Sequence, residues 1–304
     1  MKKLQTNART MIVMAAIALS TGAAASAQYR FLSLDVPGAT ATYAYGISDL
    51  GLIAGTYAVI VNGSEQTFGF TYDPHLRLWN YPIADPKAPT STWVFGVDMT
   101  ADLVAGAYAL PSGNYVGMLE YPGNYRDFNP ENCGSSMVTG VNRKGEAGTC
   151  AYLSSTDQQM HTMGWVMGRN DPETFLYPGS LDTFVTGVDL NLEAVGYYYD
   201  PPDRTSHGFL RAAEYEWVTF DYPGAINTVV GGISSSFVVT GSYWMADPER
   251  KHGFIFANQQ YTTIDFPHAF STYIGQSNDK GWFVGSYVDG NGITHGFWGQ
   301  PRGR

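Results

Sequence analysis

Histidine and aspartate residues recur in this sequence at spacings that could bring them together in pairs. His207 lies 14 residues before Asp221, and His252 lies 13 residues before Asp265. Each pair brackets a turn between two short runs of β-forming residues, so we expect the side chains to face each other across an antiparallel hairpin. A carboxylate beside an imidazole raises the pKa of the histidine and fixes its tautomer, an arrangement that suits acid–base chemistry.

A third histidine, His295, has no aspartate after it, and its expected partner lies near the other end of the sequence. Asp35 stands two residues before a Pro-Gly turn, as Asp221 does. If Asp35 pairs with His295, the N-terminal strand from Tyr29 to Val36 completes a sheet that the last C-terminal strands begin. The sequence therefore predicts a closed ring in which both termini share one sheet.

The three pairs have a structural interpretation and a catalytic one. An active site is normally single, whereas these pairs recur at the same hairpin position in three places, which favours a hydrogen-bonded clasp between strands. Three imidazoles could also hold a zinc ion. We predict no metal there, because these strands lie away from the centre of the ring and adjacent copies should be too far apart.

The elements that position these residues come from a repeat of about 45 residues. Aromatic or apolar residues flank one glycine in each copy, and a proline and a Gly-x-Tyr pair follow the same period. The glycines are Gly69, Gly117, Gly164, Gly208, Gly253 and Gly296, separated by 48, 47, 44, 45 and 43 residues. The prolines are Pro37, Pro82, Pro130, Pro178, Pro223 and Pro267.

Each copy contains four short runs rich in Val, Ile, Phe and Tyr, separated by Gly, Asn, Asp or Pro turns. In the fifth copy these runs cover residues 229–234, 237–244, 251–257 and 261–266. Four antiparallel strands in a repeat of this length form a propeller blade. We therefore predict an all-β, six-bladed β-propeller over residues 28–304. Five glycines fall in the predicted innermost strands, where crowding favours residues without a side chain: Gly46, Gly96, Gly140, Gly187 and Gly232.

The first 27 residues have the features of a secretory signal peptide. Lys2, Lys3 and Arg9 precede or flank a short apolar stretch at residues 11–19, and Ala25-Ser26-Ala27 resembles a cleavage site. We expect an exported protein, either secreted or periplasmic, without a membrane-inserted segment. The net charge of −10 argues against nucleic acid as a partner, because phosphate binding requires Lys and Arg. We expect a monomer.

Cys133 and Cys150 are the two cysteines of the chain. Cys150 takes the place of the tyrosine in the Gly-x-Tyr marker, and Cys133 ends the turn of the same blade, which reads Asn129-Pro-Glu-Asn-Cys133. Export to an oxidising compartment permits disulfides. The two departures from the repeat occur together, so we predict that a disulfide replaces aromatic packing in this blade, the alternative being two unrelated buried thiols.

The segments from Trp217 to Ala225 and from Tyr261 to Pro267, together with the His-Gly-Phe segments, resemble the bacterial extracellular HAF-repeat family. The resemblance covers Tyr29 to Gln300 and is strongest in the first, fifth and sixth copies. It implies export and a repeat-built β-fold. It carries no catalytic residues that could be transferred to this chain.

Ligands of propellers bind at the mouth of the axial channel, where the innermost strands begin. That level holds four aromatic and two aliphatic residues: Tyr43, Trp93, Phe184 and Tyr273, with Met137 and Val229. Aromatic faces at a channel mouth suit sugar rings or apolar ligands. The alternative is that these large side chains only pack between neighbouring blades.

The loops between second and third strands are acidic: Asp200-Pro-Pro-Asp203, Asp247-Pro-Glu249 and Asp289-Gly-Asn-Gly292. Their oxygen atoms could hold calcium, although no loop has the full pattern of a calcium site. We therefore expect no cofactor, with calcium as the alternative. No nucleotide-binding glycine loop, serine elbow or zinc-ligand helix is present in the sequence.

Two functions remain at this stage. The first is a binding or scaffolding module that recognises an extracellular glycan, peptide or surface partner at the axial mouth. The second is a secreted polysaccharide lyase or glycoside hydrolase with its site at the same mouth. The sequence shows repeated positions and few arginines, with no single cluster of acid, base and charge-stabilising groups. This regularity favours binding over catalysis.

Overall fold

The computed structural model describes residue 26 and residues 28–302, except residues 99, 101, 102, 123, 202 and 213–215. The predicted signal peptide lies, apart from residue 26, outside the described residues. The remainder forms 24 strands in six sheets, each with four antiparallel strands. The prediction of a six-bladed β-propeller is confirmed.

The first blade contains strands β2 to β5, the second β6 to β9 and the third β10 to β13. The strands of the first blade are Ala41–Ile47, Ile53–Val61, Ser64–Asp73 and Leu78–Ile83. Those of the second are Thr92–Val97, Val104–Ala109, Tyr115–Tyr121 and Asn124–Phe128. Those of the third are Ser135–Asn142, Gly145–Leu153, Met160–Met167 and Glu173–Phe175.

The fourth blade contains β14 to β17, the fifth β18 to β21, and the sixth β22 to β24 with β1. The strands of the fourth blade are Thr183–Val188, Ala194–Asp200, Thr205–Arg211 and Trp217–Phe220. Those of the fifth are Asn227–Ile233, Val239–Trp244, His252–Ala257 and Gln260–Ile264. Those of the sixth are Ser271–Ser277, Phe283–Val288 and Thr294–Pro301, with the N-terminal strand Tyr29–Leu34.

The ring closes in the sixth blade. Strand β1 pairs antiparallel with β24, from Tyr29 opposite Pro301 to Leu34 opposite Gly296. The predicted closure by both termini is confirmed, with a first strand two residues shorter than expected. Every other blade consists of consecutive strands, so this pairing alone joins the two ends of the chain in one sheet.

The innermost strands touch one another through glycines. In the first five blades the register of the innermost strand shifts just before its glycine. A Cβ atom on Gly46 would lie 2.9 Å from the Cα of Gly96, and one on Gly140 would lie 3.0 Å from the Cα of Gly187. Neighbouring blades therefore meet backbone to backbone around the axis, as the sequence predicts.

The core lies between adjacent blades. Aliphatic residues from one innermost strand pack on aromatic residues of the neighbouring blade, and Phe70, Phe209, Phe254 and Phe297 are fully buried. Each of these follows the glycine marker directly, which explains why the marker recurs. Burying an aromatic side chain of this kind contributes about 1.5–3 kcal/mol to the free energy of unfolding.

Two of the six proline markers do not occupy the position of Pro37. The turn before the first strand of each blade donates a backbone N–H back across three residues, from Ala39 to Val36 in the first blade and from Ala88 to Asp85 in the second. Pro86, which follows Asp85, therefore corresponds to Pro37. The predicted Pro82 lies inside β5 instead. A second nearby proline in the second blade explains this difference. In the third blade the N–H of Cys133 donates to the carbonyl of Pro130, so Pro130 takes the place of Val36.

Candidate functional site

The three predicted His–Asp pairs lie within hydrogen-bond distance. Nδ1 is 2.9 Å from a carboxylate oxygen of Asp221 for His207, and 2.8 Å from Asp265 for His252. In the closing blade, His295 Nδ1 lies 3.0 Å from Asp35. The pairs connect the third strand of a blade to the segment after its fourth strand.

Each of these histidines also stacks on the tyrosine of the neighbouring second strand. The ring centroids are 5.4 Å apart for Tyr198 and His207, and the other two pairs of rings are arranged in the same way. In the fifth blade, the second oxygen of Asp265 accepts the backbone N–H of Gly253. An imidazole held by a carboxylate on one side and an aromatic ring on its face connects strands, and this geometry supports the clasp interpretation.

A fourth histidine with carboxylate partners was missed from the sequence. His161 has Asp182 at 3.1 Å from Nδ1 and Asp157 at 2.8 Å from Nε2. The hydrogen bond with Asp157 raises the pKa of His161 above its ordinary value, and the same bond lowers the pKa of Asp157. His161 lies two residues before Met163, which occupies the usual histidine position. Because side chains two apart in a strand share a face, a search at that offset could have found it.

The disulfide between Cys133 and Cys150 is confirmed, with an S–S distance of 2.09 Å. In the fourth and fifth blades the same place is filled by stacked tyrosines: Tyr177 with Tyr198 and Tyr222 with Tyr243, each at 3.6 Å between ring centroids. The covalent bond therefore replaces an aromatic stack. It also fits a protein that folds in an oxidising compartment.

The axial channel is lined by alternate residues of the six innermost strands. At its middle lies a cavity of about 120 Å³, which we call the mid-channel cavity and which all six innermost strands border. The equivalent residues of the six strands are Tyr45, Phe95, Thr139, Thr186, Gly231 and Gly275, and the sixth strand adds Tyr273 and Gln276. These six equivalent positions hold four residue types, Tyr, Phe, Thr and Gly, so the channel lacks the regularity of the outer strands.

Where the innermost strands begin, the channel opens into a larger cavity of about 380 Å³. Tyr43, Tyr45 and Tyr273 form its aromatic wall. Lys251 and Glu249, from the fifth blade, supply one cation and one anion. We call this space the upper cavity. It lies toward the fifth, sixth and first blades rather than centrally over the axis.

The position of the upper cavity divides the four predicted mouth residues. Tyr43 and Tyr273 line it, whereas Trp93 and Phe184 are not among its lining residues. Trp93 packs edge-on against Tyr115 at 5.3 Å, and Phe184 stacks on Tyr197 at 4.8 Å. These two aromatics belong to the second and fourth blades, away from the cavity, and they pack on their own blades.

Tyr45, Lys251 and Glu249 were missed from the sequence. Tyr45 lies two residues after Tyr43 on the same strand, and period-2 alternation could have identified it. Lys251 and Glu249 come from the loop between the second and third strands of the fifth blade. Only the folded ring brings that loop beside the sixth and first blades.

The tyrosines near the axis interact electrostatically with one another. Burial raises the pKa of Tyr45, and the neighbouring phenols of Tyr273 and Tyr43 raise it further. Burial also raises the pKa of Tyr273 to about 12. Across the channel, burial and the nearby Tyr273 raise the pKa of Tyr197. These phenols therefore stay protonated at physiological pH, and those of Tyr45 and Tyr273, which line the upper cavity, can donate hydrogen bonds to a ligand.

The described residues contain no group of three or more His, Cys, Asp or Glu that could hold a metal ion. In the acidic loops, where calcium is the alternative to no cofactor, carboxylates accept hydrogen bonds from nearby backbone N–H groups. Asp289 accepts the N–H groups of Asn291 and Ile293, and Asp247 accepts that of Glu249. Within the described part of the chain, no helix has the length and apolarity needed to cross a membrane.

The chain matches no protein-family model, and no curated protein is significantly similar to it. Among solved structures, it is similar to a TolB-like protein from Agrobacterium tumefaciens, with 10% identity, a TM-score of 0.56, and coverage of 91% of this chain and 98% of that one. It is also similar to the β-propeller domain of the Trilobed protease from Pyrococcus furiosus, with 8% identity, a TM-score of 0.49, and coverage of 84% and 95%. At such low identity, the likeness to the TolB-like protein concerns the fold alone.

Proposed function

We propose that this protein is an exported binding module that recognises a glycan in the upper cavity. The observation that carries the proposal is the convergence of three tyrosines, Tyr43, Tyr45 and Tyr273, on one cavity of about 380 Å³. That volume lies within the range of about 300–1,000 Å³ that is typical of small-molecule sites.

The chemistry of the wall suits a carbohydrate. Tyrosine rings provide flat apolar faces for the C–H side of a sugar, while their hydroxyls bond to its hydroxyl groups. Ser271, Ser286 and Thr294 add further hydroxyls to the lining. Lys251 stands 5.1 Å from the ring centroid of Trp244 and adds a positive charge beside Glu249. A ligand with many hydroxyls and modest charge matches this mixture.

The lining of the upper cavity favours binding over hydrolysis. Glycoside hydrolases use two carboxylates on either side of the scissile bond, and this cavity has one, from Glu249. Four histidines, His161, His207, His252 and His295, each have a carboxylate partner. None of them lines the upper cavity. A polysaccharide lyase or hydrolase is therefore the less favoured candidate.

The proposal also includes export from the cytoplasm and membership in the HAF-repeat family, which the repeat segments resemble. The disulfide supports an oxidising compartment, and the charged start and apolar stretch of the sequence support a signal peptide. The protein would act outside the cytoplasm on glycans of a cell surface or matrix.

A glycan array with the mature protein tests the proposal, followed by titration calorimetry on the strongest ligand. We expect Tyr273→Ala to weaken binding at least about tenfold, because it removes one wall of the cavity. Tyr121→Ala serves as the matched control, since Tyr121 is 43% exposed at the far end of β8. Absence of any glycan ligand, or equal losses in both variants, would contradict the proposal. A product assay on the same glycans tests the enzymatic alternative.

A further inference from the structure

The sixth blade breaks the ring of glycines around the axis. The first five innermost strands carry Gly46, Gly96, Gly140, Gly187 and Gly232 at this level. The sixth carries Gln276, whose side chain lies within 2.7 Å of where a Cβ on Gly232 would be. At the level where the other blades meet backbone to backbone, one long polar side chain occupies the remaining space.

Gln276 reaches across the axis. Its Nε2 lies 3.4 Å from the carbonyl oxygens of Thr139 and Thr186, in the third and fourth blades. The side chain borders the mid-channel cavity above and a separate lower cavity beneath, which is also lined by Asn142, Asp189 and Leu190. The channel is thus divided at this residue into an upper and a lower part.

The mid-channel cavity continues the upper cavity toward the axis. Tyr45 and Tyr273 border both spaces. The mid-channel cavity has a volume of about 120 Å³, against about 380 Å³ for the upper cavity, and Gln276 borders its lower end. A chain that enters past these tyrosines therefore has no exit on the other side.

We propose that the site recognises the end of a glycan chain, with the terminal sugar in the mid-channel cavity and the amide of Gln276 as its floor. This inference rests on the proposed glycan-binding function and specifies how that site selects its ligand. Both hydrogen bonds of Gln276 lie at the long limit for N–H···O contacts, so its amide can turn toward a sugar hydroxyl at little cost. A blind pocket of this kind excludes the internal segments of a polysaccharide.

The number of binding sites per glycan chain tests this inference without knowledge of which end enters. The probe is the polysaccharide of the strongest array ligand, in two preparations that differ roughly tenfold in chain length, titrated calorimetrically at equal mass. End recognition predicts the same number of sites per chain in both, and hence roughly tenfold fewer sites per mass of the longer one. A number of sites per chain that grows with length would overturn the inference and leave the glycan-binding proposal intact. Absence of binding to any glycan would overturn both.

A filled cavity provides a second test. Thr139→Phe places an aromatic ring in the mid-channel cavity. The innermost strand of the second blade already has an aromatic residue, Phe95, at the same position. We expect at least about a tenfold loss of affinity for the shorter chain. The matched control, Leu190→Phe, adds the same ring to the lower cavity and should leave the affinity unchanged. Unchanged affinity in folded Thr139→Phe would overturn the inference; if this variant does not fold, the site count on the parent protein decides alone.

Discussion

The outer strands and the innermost strands of this propeller follow different rules. In the outer half of the blades the same contacts return, with a histidine clasped by an aspartate and stacked on a tyrosine in three blades. Along the axis the same position is Tyr45 in one blade, Thr139 in another and Gly231 in a third. Repetition stabilises the ring, whereas variation makes the upper cavity asymmetric. We expect substitutions in the outer half to change stability and those at the axis to change ligand binding.

Loss of the disulfide should have the largest effect on stability. Cys133→Ala with Cys150→Ala removes a link across 17 residues, and we expect the free energy of unfolding to fall by about 3 kcal/mol. Urea unfolding with and without reductant measures this change. The folded variant should keep its affinity for the ligand. Equal stability of variant and parent would show that the disulfide does not stabilise the fold.

The glycine ring sharpens the comparison, because it lies at the axis and yet should affect stability. Gly140→Ala puts a Cβ 3.0 Å from the backbone of the next blade, and we expect a loss of about 2 kcal/mol from the overpacking. Gly290→Ala is the control, since a Cβ there meets no atom within 4 Å. Chemical denaturation of both variants checks the difference. Equal stabilities would show that the blades can separate at the axis without loss.

A smaller loss should follow from opening the clasp at the seam. Asp35→Ala removes the carboxylate at Nδ1 of His295, while Asp289 stays 3.6 Å from Nε2. We expect about 1 kcal/mol of destabilisation, seen as a decrease of about 2–4 °C in Tm. Glu65→Ala, an exposed change on β4, is the matched control and should not move Tm. A Tm of Asp35→Ala equal to that of the parent would mean that the pair contributes nothing to closure.

The smallest effect concerns pH. The pKa of His161 is raised by Asp157 and Asp182, so the stability it contributes is fully present below the unfolded pKa of about 6.5 and is lost as pH rises through the folded pKa. The lowered pKa of Asp157 acts in the opposite direction, and its contribution is lost only as the solution becomes strongly acidic. We expect His161→Gln to lower Tm by about 1 °C more at pH 5.5 than at pH 9. Melting curves at the two pH values decide, and a larger difference at pH 9 would contradict the assignment.

The outer half of the molecule could be predicted from the sequence because its contacts repeat. The spacing of His207 from Asp221, together with the missing partner of His295, was sufficient to predict how the ring closes. Where a blade contains two prolines, the same reasoning selected Pro82 instead of Pro86. Repetition thus identifies contacts but not small shifts within one copy.

The axial site was predicted only in part, because its members differ between blades. Tyr43 and Tyr273 were identified by their level in the strand. Gln276 stands at the one innermost position that departs from glycine, a signal present in the sequence and not used. Lys251 reaches the upper cavity from a loop, and its place depends on how the fifth and sixth blades pack together.

The central claim is that the upper cavity, and not the repeated outer surface of the blades, binds the ligand. A crystal structure of the protein soaked with the strongest array glycan tests it most directly. We predict density for the sugar against Tyr43, Tyr45 and Tyr273. Density on the outer strands or at the opposite end of the channel, with the upper cavity empty, would contradict the claim.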